Sequence, residues 1–466
     1  MNQPAQRICS FDNNGTVFDG GSAIFRQVDA HYISRAREIF SKFQELSLVN
    51  LGVVPTTLYA SKEYMFEHEK YTISYPYEWP AAMLRDAAIY HLDLFDHLEL
   101  NGLTLKDGLP NNVVFDGIKP KFVDFLSIVE YDKLKDEAWL VKRIREGETP
   151  HTAVLRQMFI PHFFIPLATM NLGLLDLGRI MLRKHSCNVS SETPYKLKIQ
   201  WKNLSRRKQV RHFLTRLRIR QALRSHPQSA RRMLRNALSK MQFGDRSGYA
   251  NYYSAKNEEF PLDDQTDWKP KQISVGAALD ALAPETVLDL GANTGWFSRL
   301  AESKGAKVIS VDIDEASLLR LYQIAKRDQL KITPLNIPFG DLYAEGIVEH
   351  IQKTGDVYFT APIKRLRSDV VMALGLIHHL VLGENRPIEA VMSTLSELCS
   401  KGLILEFISM DDPLVAGNPG YFPNIQHWNP DSYNINLVIE AAKKYFKTCE
   451  TSPSHPATRQ ILRLAK

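Results

Sequence analysis

Residues 286–297 read TVLDLGANTGWF, and this stretch decides the fold of the C-terminal half of the chain. The apolar Val287, Leu288 and Leu290 predict a buried strand that runs into a turn with two glycines and then into a helix. Glycine allows a tight turn and a close approach between backbone and ligand. Asp289 falls at the carboxyl end of the predicted strand, where open α/β sheets bind ligands. The stretch therefore predicts a ligand site at the first turn of a βαβ unit.

Strands and helices alternate from Tyr249 onward. Four further strands are predicted, and they read KVISVDI at 307–313, ITPLNI at 332–337, DVVMALGLI at 369–377 and GLILEFI at 402–408. Helical patterns separate these strands, so the alternation predicts right-handed βαβ units and a parallel α/β sheet. The last residues, 443–466, read as a closing antiparallel strand pair.

A second carboxylate ends the next predicted strand. Asp312 lies 23 positions after Asp289. A carboxylate at this place can accept hydrogen bonds from both hydroxyls of a ribose. Gly291 and Gly295 have the spacing GxxxG, not GxGxxG, so a dinucleotide with a pyrophosphate fits less well.

The pattern D-x-G-x-x-x-G, the following helix and the acidic end of the next strand closely resemble the class I S-adenosylmethionine-dependent methyltransferases. The resemblance covers about residues 249–466 and implies a Rossmann-like seven-stranded domain with S-adenosyl-L-methionine as cofactor. It implies that the Gly-containing loop lies against the methionine part of the cofactor, that an acidic residue holds the ribose, and that a polar residue lies beside adenine. The residues so implied are Asp289, Gly291, Asn293, Thr294, Gly295 and Asp312, with Asn336 or Asp341 beside adenine.

A histidine pair, His378 and His379, follows the fourth predicted strand at the end that faces the site. Imidazole acts as a general base near neutral pH, and methyl transfer to a hydroxyl needs an oxygen relieved of its proton. We expect at least one of the two to be catalytic and favour His378. The alternative is that one packs or caps the following helix while the other is an ordinary polar residue.

Another constellation occurs in LTLKDGLPNNVVFDGIKPKFVDF at 103–125. Asp107, Asn112 and Asp124 resemble the catalytic loop and the metal-binding Asp of the protein kinase and aminoglycoside phosphotransferase superfamily. The resemblance implies that Asp107 orients a substrate hydroxyl and that Asn112 and Asp124 hold magnesium. The alternative is a hairpin in which Asp107 and Asn112 make turn hydrogen bonds.

The departures from the kinase pattern indicate a degenerate domain. Leu105 and Lys106 replace the usual His-Arg, and no GxGxxG phosphate loop precedes them. Arg26 stands where the phosphate-binding lysine would be, with Glu38 as its possible partner. Without the loop and the lysine, ATP lacks much of its electrostatic clamp. The segments IFRQV, MLRDAA, LKDGLPNN and GLIHHL extend a looser resemblance over the whole chain, to bacterial methyltransferases of the rhizobial nodulation type.

The charge of the chain is unevenly distributed. The 466 residues contain 58 Lys and Arg against 52 Asp and Glu, a formal charge of +6. Residues 196–240 contain 15 of the basic residues and no acidic ones, so the remainder is net acidic by 9. Three interpretations stay open: a connector docked on the acidic remainder, a grip for RNA or another polyanion, or a contact with an anionic lipid or glycan surface.

Composition and cysteine usage limit the class of protein. An apolar content of 44% and a charged content of 24% exclude a wholly disordered chain. The four scattered cysteines show no metal-ligand spacing and suggest a reducing compartment, so we predict no metal and a cytoplasmic protein. The apolar stretch 157–175 is interrupted by Pro161 and Pro166, which favours a buried helix pair over a membrane segment.

Together these observations predict three parts: a mixed α+β kinase-like domain at 1–195, a basic helical connector at 196–248, and a class I methyltransferase domain at 249–466. The predicted function is O-methylation of a small molecule, a saccharide or a lipid-linked glycan, with the N-terminal domain aiding acceptor recognition. The alternatives are an RNA methyltransferase that grips RNA through the basic segment and a bifunctional kinase-methyltransferase.

Overall fold

A computed structural model describes most of the chain. The described residues are 6–8, 14–59, 64–142, 144–184, 205–207, 209–210, 214, 226–244, 247, 249–251, 259–345, 360–418, 420 and 422–466. The chain divides into two compact units: unit 1 is Met1–Gly244 with Glu345–Phe359, and unit 2 is Asp245–Ala344 with Thr360–Lys466. Most of the basic segment, including residues 215–225, lies outside the described residues.

Unit 1 begins with a five-stranded antiparallel sheet. Its strands are β1 (Gln6–Ile8), β2 (Gly15–Asp19), β3 (Ala23–Val28), β4 (Thr56–Leu58) and β5 (Met65–Glu69), in the order β1-β2-β3-β5-β4. Helix α1 (Ile33–Glu45) connects β3 to β4 and buries its apolar face, as its helical periodicity requires. A long, mostly buried helix, α2 (Ala81–Glu99), follows the sheet.

Two small strand pairs and a group of helices complete the described part of unit 1. Strand β6 (Leu103–Leu105) pairs with β9 (Ile128–Glu130), and β7 (Val113–Asp116) pairs with β8 (Lys119–Phe122). The helices are α3 (Ala138–Val141), α4 (Pro150–Val154), α5 (Ile165–Asn171), α6 (Leu175–Lys184) and α7 (Pro227–Ser239), and a π-helical stretch, Leu155–Phe164, joins α4 to α5. Within the described residues, no helix has the length and apolar character needed to cross a membrane.

Unit 2 is built on a seven-stranded sheet. Its strands are β10 (Thr286–Leu290), β11 (Lys307–Asp312), β12 (Ile332–Asn336), β13 (Ser368–Ala373), β14 (Cys399–Ile408), β15 (Thr448–Pro453) and β16 (Arg459–Ala465). Their order is β12-β11-β10-β13-β14-β16-β15. Strand β16 is antiparallel to both β14 and β15, and the other neighbouring strands are parallel to each other. The predicted Rossmann-like α/β sheet is confirmed, because the central strands are apolar and buried as a covered parallel sheet requires.

Helices lie between the strands of unit 2. They are α8 (Pro270–Leu282), α9 (Trp296–Ser303), α10 (Glu315–Asp328), α11 (Pro362–Arg365), α12 (Ile388–Leu398), α13 (Pro413–Ala416) and α14 (Ile435–Lys443). Strand β10 has β11 on one side and β13 on the other, both parallel to it. The connections leaving β10 and β13 therefore diverge at their carboxyl ends, which is the topological switch point where such sheets bind ligands.

The described end of the basic segment packs on an acidic face within unit 1. Arg231 of α7 is 1% exposed and donates through Nε to Asp96 at 2.6 Å and through both terminal nitrogens to Glu99 at 2.6 Å. Arg235, one helical turn later, donates to Asp93 at 2.8 Å and to Asp96 at 2.6 Å. The acceptors are spaced three residues apart on α2, so they form one face of that helix. At this end the charges of Arg231 and Arg235 are compensated inside the protein.

Replacing Arg231 by Met is expected to destabilise the protein by about 3–5 kcal/mol, because the buried Glu99 carboxylate loses its compensating charge. Arg232 is the next residue on α7 and is exposed, so Arg232→Met is the matched control and should change stability by less than about 0.5 kcal/mol. Urea unfolding of the three proteins measures both values. Equal stability of the two variants would contradict the docking of α7 on α2.

Candidate active site

The turn after β10 has a backbone that only glycine adopts easily at two positions. Gly291 and Gly295 have φ of +75° and +77°, in the left-handed region. A Cβ atom on Gly295 would lie 2.3 Å from Cδ1 of Leu321. The GxxxG spacing that marked the turn in the sequence therefore reflects both the turn geometry and the close packing of α9 and α10.

Asp312 is tied to this turn by backbone hydrogen bonds. The backbone N–H of Asn293 donates to Oδ2 of Asp312 at 2.7 Å, and the N–H of Asp314 donates to Oδ1 at 2.8 Å. Burial raises the pKa of Asp312, although these backbone donors oppose the increase. The carboxylate is therefore held in one orientation at the end of β11.

Asp289 is 2% exposed, at the end of β10. Its Oδ2 accepts a hydrogen bond from the hydroxyl of Ser298 at 2.6 Å, and Ser298 in turn accepts one from Ser310 at 2.8 Å. Burial raises the pKa of Asp289 to about 7, and the charge of Asp312 adds to the increase. The structure thus places two neighbouring carboxylates at the switch point, one buried and one at the end of the adjacent strand.

The remaining predicted cofactor residues surround the same edge of the sheet. The side chain of Asn293 shapes the turn, since it accepts from the N–H of Thr294 at 2.7 Å and donates to the carbonyl of Tyr249 at 2.9 Å. Asn336 pairs with Asp312 in the register of β11 and β12. Asp341 lies five residues further on, in a short 3-10 helix. Of these two candidates for the adenine side, Asn336 is therefore the one beside Asp312.

A buried ion pair lies at the same end of the sheet. The ammonium of Lys271, in the first turn of α8, is 2.7 Å from Oε2 of Glu406 in β14. Glu406 is fully buried, and its other oxygen accepts from the hydroxyl of Ser454 at 2.8 Å. Burial raises the pKa of Asp289 and lowers that of His378; the positive charge of Lys271 opposes the first shift and adds to the second, so it acts on both predicted groups.

The histidine pair lies after β13, as the sequence predicted. The rings of His378 and His379 are 4.2 Å apart, and the ring of Phe422 is within 5.5 Å of both. His378 is 5% exposed, and its Nδ1 has no hydrogen-bond partner within the described part of the chain. Burial, followed by the charge of His379, lowers the pKa of His378 well below its ordinary value. At neutral pH the imidazole is therefore uncharged.

In unit 1 the structure brings the three kinase-like residues together. The amide nitrogen of Asn112 lies 2.5 Å from Oδ1 of Asp107 and 3.5 Å from Oδ2 of Asp124. The hydroxyl of Ser127 lies 2.9 Å from Asp107 and 2.6 Å from Asp124. Burial, together with the charge of Asp124, raises the pKa of Asp107 to about 7. The turn hydrogen bonds of the alternative interpretation do not account for this grouping, because Asp124 comes from beyond β8.

Arg26 contacts one of the three kinase-like residues. The guanidinium of Arg26, on β3, is 3.2 Å from Oδ1 of Asp124. Arg26 is buried, whereas Glu38 is exposed on α1.

Sequence reasoning missed Lys271, Ser298 and Ser127. Lys271 reaches a residue 135 positions later, and no local pattern signals such a contact. Ser298 and Ser127 are single hydroxyl residues whose roles depend on carboxylates from other elements. For Ser127 alone a signal existed, because it lies three residues after Asp124 in the motif itself.

Comparison with known proteins gives one relative over most of the chain. No family model matches. The nodulation protein NoeA of Rhizobium meliloti (strain 1021) is 25% identical over 443 residues, which cover 89% of this chain and 87% of the relative. The alignment therefore spans both units.

Solved structures overlap with less than half of the chain. The magnesium protoporphyrin IX methyltransferase ChlM of Synechocystis PCC 6803, solved with bound SAH, is 20% identical over 42% of this chain and 81% of that chain, with a TM-score of 0.29. Human N-acetylserotonin methyltransferase in complex with SAM is 16% identical over 47% and 55%, with a TM-score of 0.30. The bifunctional kinase-methyltransferase WbdD is 18% identical over 46% and 42%, also with a TM-score of 0.30.

The strand order and the turn geometry, and not these overlaps, carry the assignment. Unit 2 has the fold of the class I methyltransferases, with the Gly-containing turn and its two carboxylates at the switch point. Two of the solved structures are complexes with SAH and with SAM. The prediction of an S-adenosylmethionine-dependent methyltransferase is thus confirmed at the level of the fold.

Proposed function

We propose that the protein transfers a methyl group from S-adenosylmethionine to an oxygen of a small molecule, a saccharide or a lipid-linked glycan. The observation that carries this proposal is the hydrogen bond between the turn after β10 and Asp312, which joins the predicted methionine-binding loop to the predicted ribose-binding carboxylate. The residues present fit the cofactor, because a loop with glycines at positive φ admits close approach and the carboxylate offers acceptors for hydroxyls.

In this proposal the turn residues hold the methionine part of the cofactor, and Asp312 accepts hydrogen bonds from the ribose. These turn residues are Asp289, Gly291, Asn293, Thr294 and Gly295. Asn336 is favoured over Asp341 for the adenine side, since it is paired with Asp312 across β11 and β12.

Lys271 supplies the positive charge that the amino-acid end of the cofactor needs. That end carries an ammonium and a carboxylate, and Asp289 offers a charge complementary only to the ammonium. The side chain of Lys271 is 12% exposed, and its ammonium is oriented by the fully buried Glu406. Among the described residues Glu406 accounts for one of its three N–H groups, so two remain to donate to a ligand carboxylate. We infer that Lys271 binds the cofactor carboxylate and that Glu406 positions it.

Calorimetry with S-adenosylhomocysteine tests this cofactor site. We expect wild-type protein to bind, and Asp312→Ala and Lys271→Met each to weaken binding by about 10-fold or more, because each loses a charge-assisted hydrogen bond of about 1.5–3 kcal/mol. Lys304 follows the far end of α9 and pairs with Asp280 at 2.5 Å, so Lys304→Met is the matched control and should bind normally. A wild-type protein that binds no such ligand would remove the proposal.

The histidine pair provides a base for an oxygen acceptor. The bound cofactor supplies a methyl group on a sulfonium. A nearby imidazole would take up the proton that the acceptor hydroxyl loses on receiving the methyl group. A neutral imidazole accepts this proton, and burial keeps both His378 and His379 neutral by lowering their pKa. We favour His378 because its Nδ1 is buried without a hydrogen-bond partner in the described residues.

Mass spectrometry of cell extract incubated with the full chain and a labelled methyl donor tests the reaction. We expect a labelled product, and we expect His378→Ala to slow its formation by about 10²–10⁴-fold while S-adenosylhomocysteine still binds. His379→Ala is measured beside it, and His97→Ala, an exposed histidine of α2, is the control. Full turnover in both members of the pair would exclude a catalytic base at this place.

Unit 1 is proposed to have a kinase-like arrangement and to help recognise the acceptor. Its support is the five-stranded antiparallel sheet with a helix between β3 and β4, together with the grouping of Asp107, Asn112 and Asp124. The alignment with the nodulation protein spans both units, which supports a joint role. The alternative of an RNA methyltransferase gains no support from the described end of the basic segment, since Arg231 and Arg235 are paired with acidic residues of α2.

A further inference from the structure

The polar cluster of unit 1 leaves no carboxylate oxygen without a protein contact. In Asp107, Oδ1 faces the amide nitrogen of Asn112 at 2.5 Å and Oδ2 faces the hydroxyl of Ser127 at 2.9 Å. In Asp124, Oδ2 faces Ser127 at 2.6 Å and Oδ1 faces the guanidinium of Arg26 at 3.2 Å. Three of the four oxygens thus lie within hydrogen-bond distance of a protein donor, and the fourth, Oδ1 of Asp124, has the charge of Arg26 beside it without a hydrogen bond among the described residues.

A magnesium ion does not fit these contacts. Magnesium requires oxygen ligands in near-octahedral geometry at 2.0–2.1 Å. Asn112 turns its amide nitrogen, a donor, toward both carboxylates. The cation beside Asp124 is a guanidinium that stays protonated at all working pH values, and it repels a second cation at the same oxygen. Within the described residues no group of three or more carboxylate, His or Cys side chains is arranged to hold a metal ion.

Arg26 also connects two parts of unit 1. It lies on β3 in the antiparallel sheet, whereas Asp124 lies between β8 and β9, and Asp107 follows β6. The side chains of Arg26 and Asp124 are 7% and 16% exposed, so water screens their attraction poorly. A weakly screened ion pair in such surroundings holds its elements together.

We infer that Arg26, Asp124, Asp107, Asn112 and Ser127 form a metal-free latch that joins the sheet of unit 1 to the loops after β6 and β8, in place of a magnesium-nucleotide site. In this arrangement the guanidinium of Arg26 supplies the positive charge that a bound magnesium ion supplies in a phosphotransferase. Unit 1 is then a fixed scaffold with no magnesium-dependent phosphotransfer.

The first test measures the latch as a coupled pair in the full-length protein. We expect Arg26→Met and Asp124→Asn each to lower the Tm by several degrees, since each leaves its partner buried without compensation. The double variant should lose clearly less than the sum of the two single losses, because the second change removes a group that is already unpaired. Lys70 and Asp19 form an ion pair at 2.9 Å in the same sheet, 36% and 32% exposed, so Lys70→Met is the control and should barely change the Tm.

The second test measures nucleotide binding by the wild-type protein. Calorimetry with ATP in the presence and absence of Mg²⁺ should show no magnesium-dependent binding, and no ADP should form on prolonged incubation with the cation. Magnesium-dependent ATP turnover that disappears in Asp124→Asn would overturn the inference. Additive losses of Tm in Arg26→Met and Asp124→Asn would overturn it as well, since they would show that the two side chains are not coupled.

Discussion

The hydrogen bond of 2.7 Å from the backbone N–H of Asn293 to Asp312 ties the turn after β10 to the end of β11, and the candidate site depends on it. Parallel strands end at the same edge of a sheet, so β10 and β11 deliver Asp289 and Asp312 side by side. Two carboxylates so close are costly when buried. The backbone donors at Asp312 and the hydroxyl of Ser298 at Asp289 offset this cost. The ligand preference proposed for the site, for a cationic group and hydroxyls, follows from the two carboxylates.

Charge is organised within each unit by a few buried pairs. Glu406 holds Lys271 in unit 2, while Arg26 holds Asp124 and Arg231 holds Glu99 in unit 1. The formal charge of +6 therefore says little about partners. At its described end, Arg231 and Arg235 of the basic segment are neutralised on one face of α2.

The sequence predicted what depends on local patterns. Apolar runs bounded by glycine and acidic residues predicted the strands around Asp289 and Asp312, because burial on both faces and a positive φ each restrict the residues allowed. The grouping of Asp107, Asn112 and Asp124 was also within reach, since these residues share one short motif. The contact of Lys271 with Glu406 was not, because it joins residues 135 positions apart and no local pattern links the two. The sequence pointed to Arg26 but not to its pairing with Asp124, because that pairing depends on how the sheet meets the loop after β8.

The account is tested most directly by a crystal structure of the full chain with S-adenosylhomocysteine. We expect the ribose hydroxyls within hydrogen-bond distance of the Asp312 carboxylate. We expect the amino-acid end of the ligand against the turn from Asp289 to Gly295, with the ligand carboxylate at Lys271. A ligand bound elsewhere, or a ribose with no contact to Asp312, would contradict it.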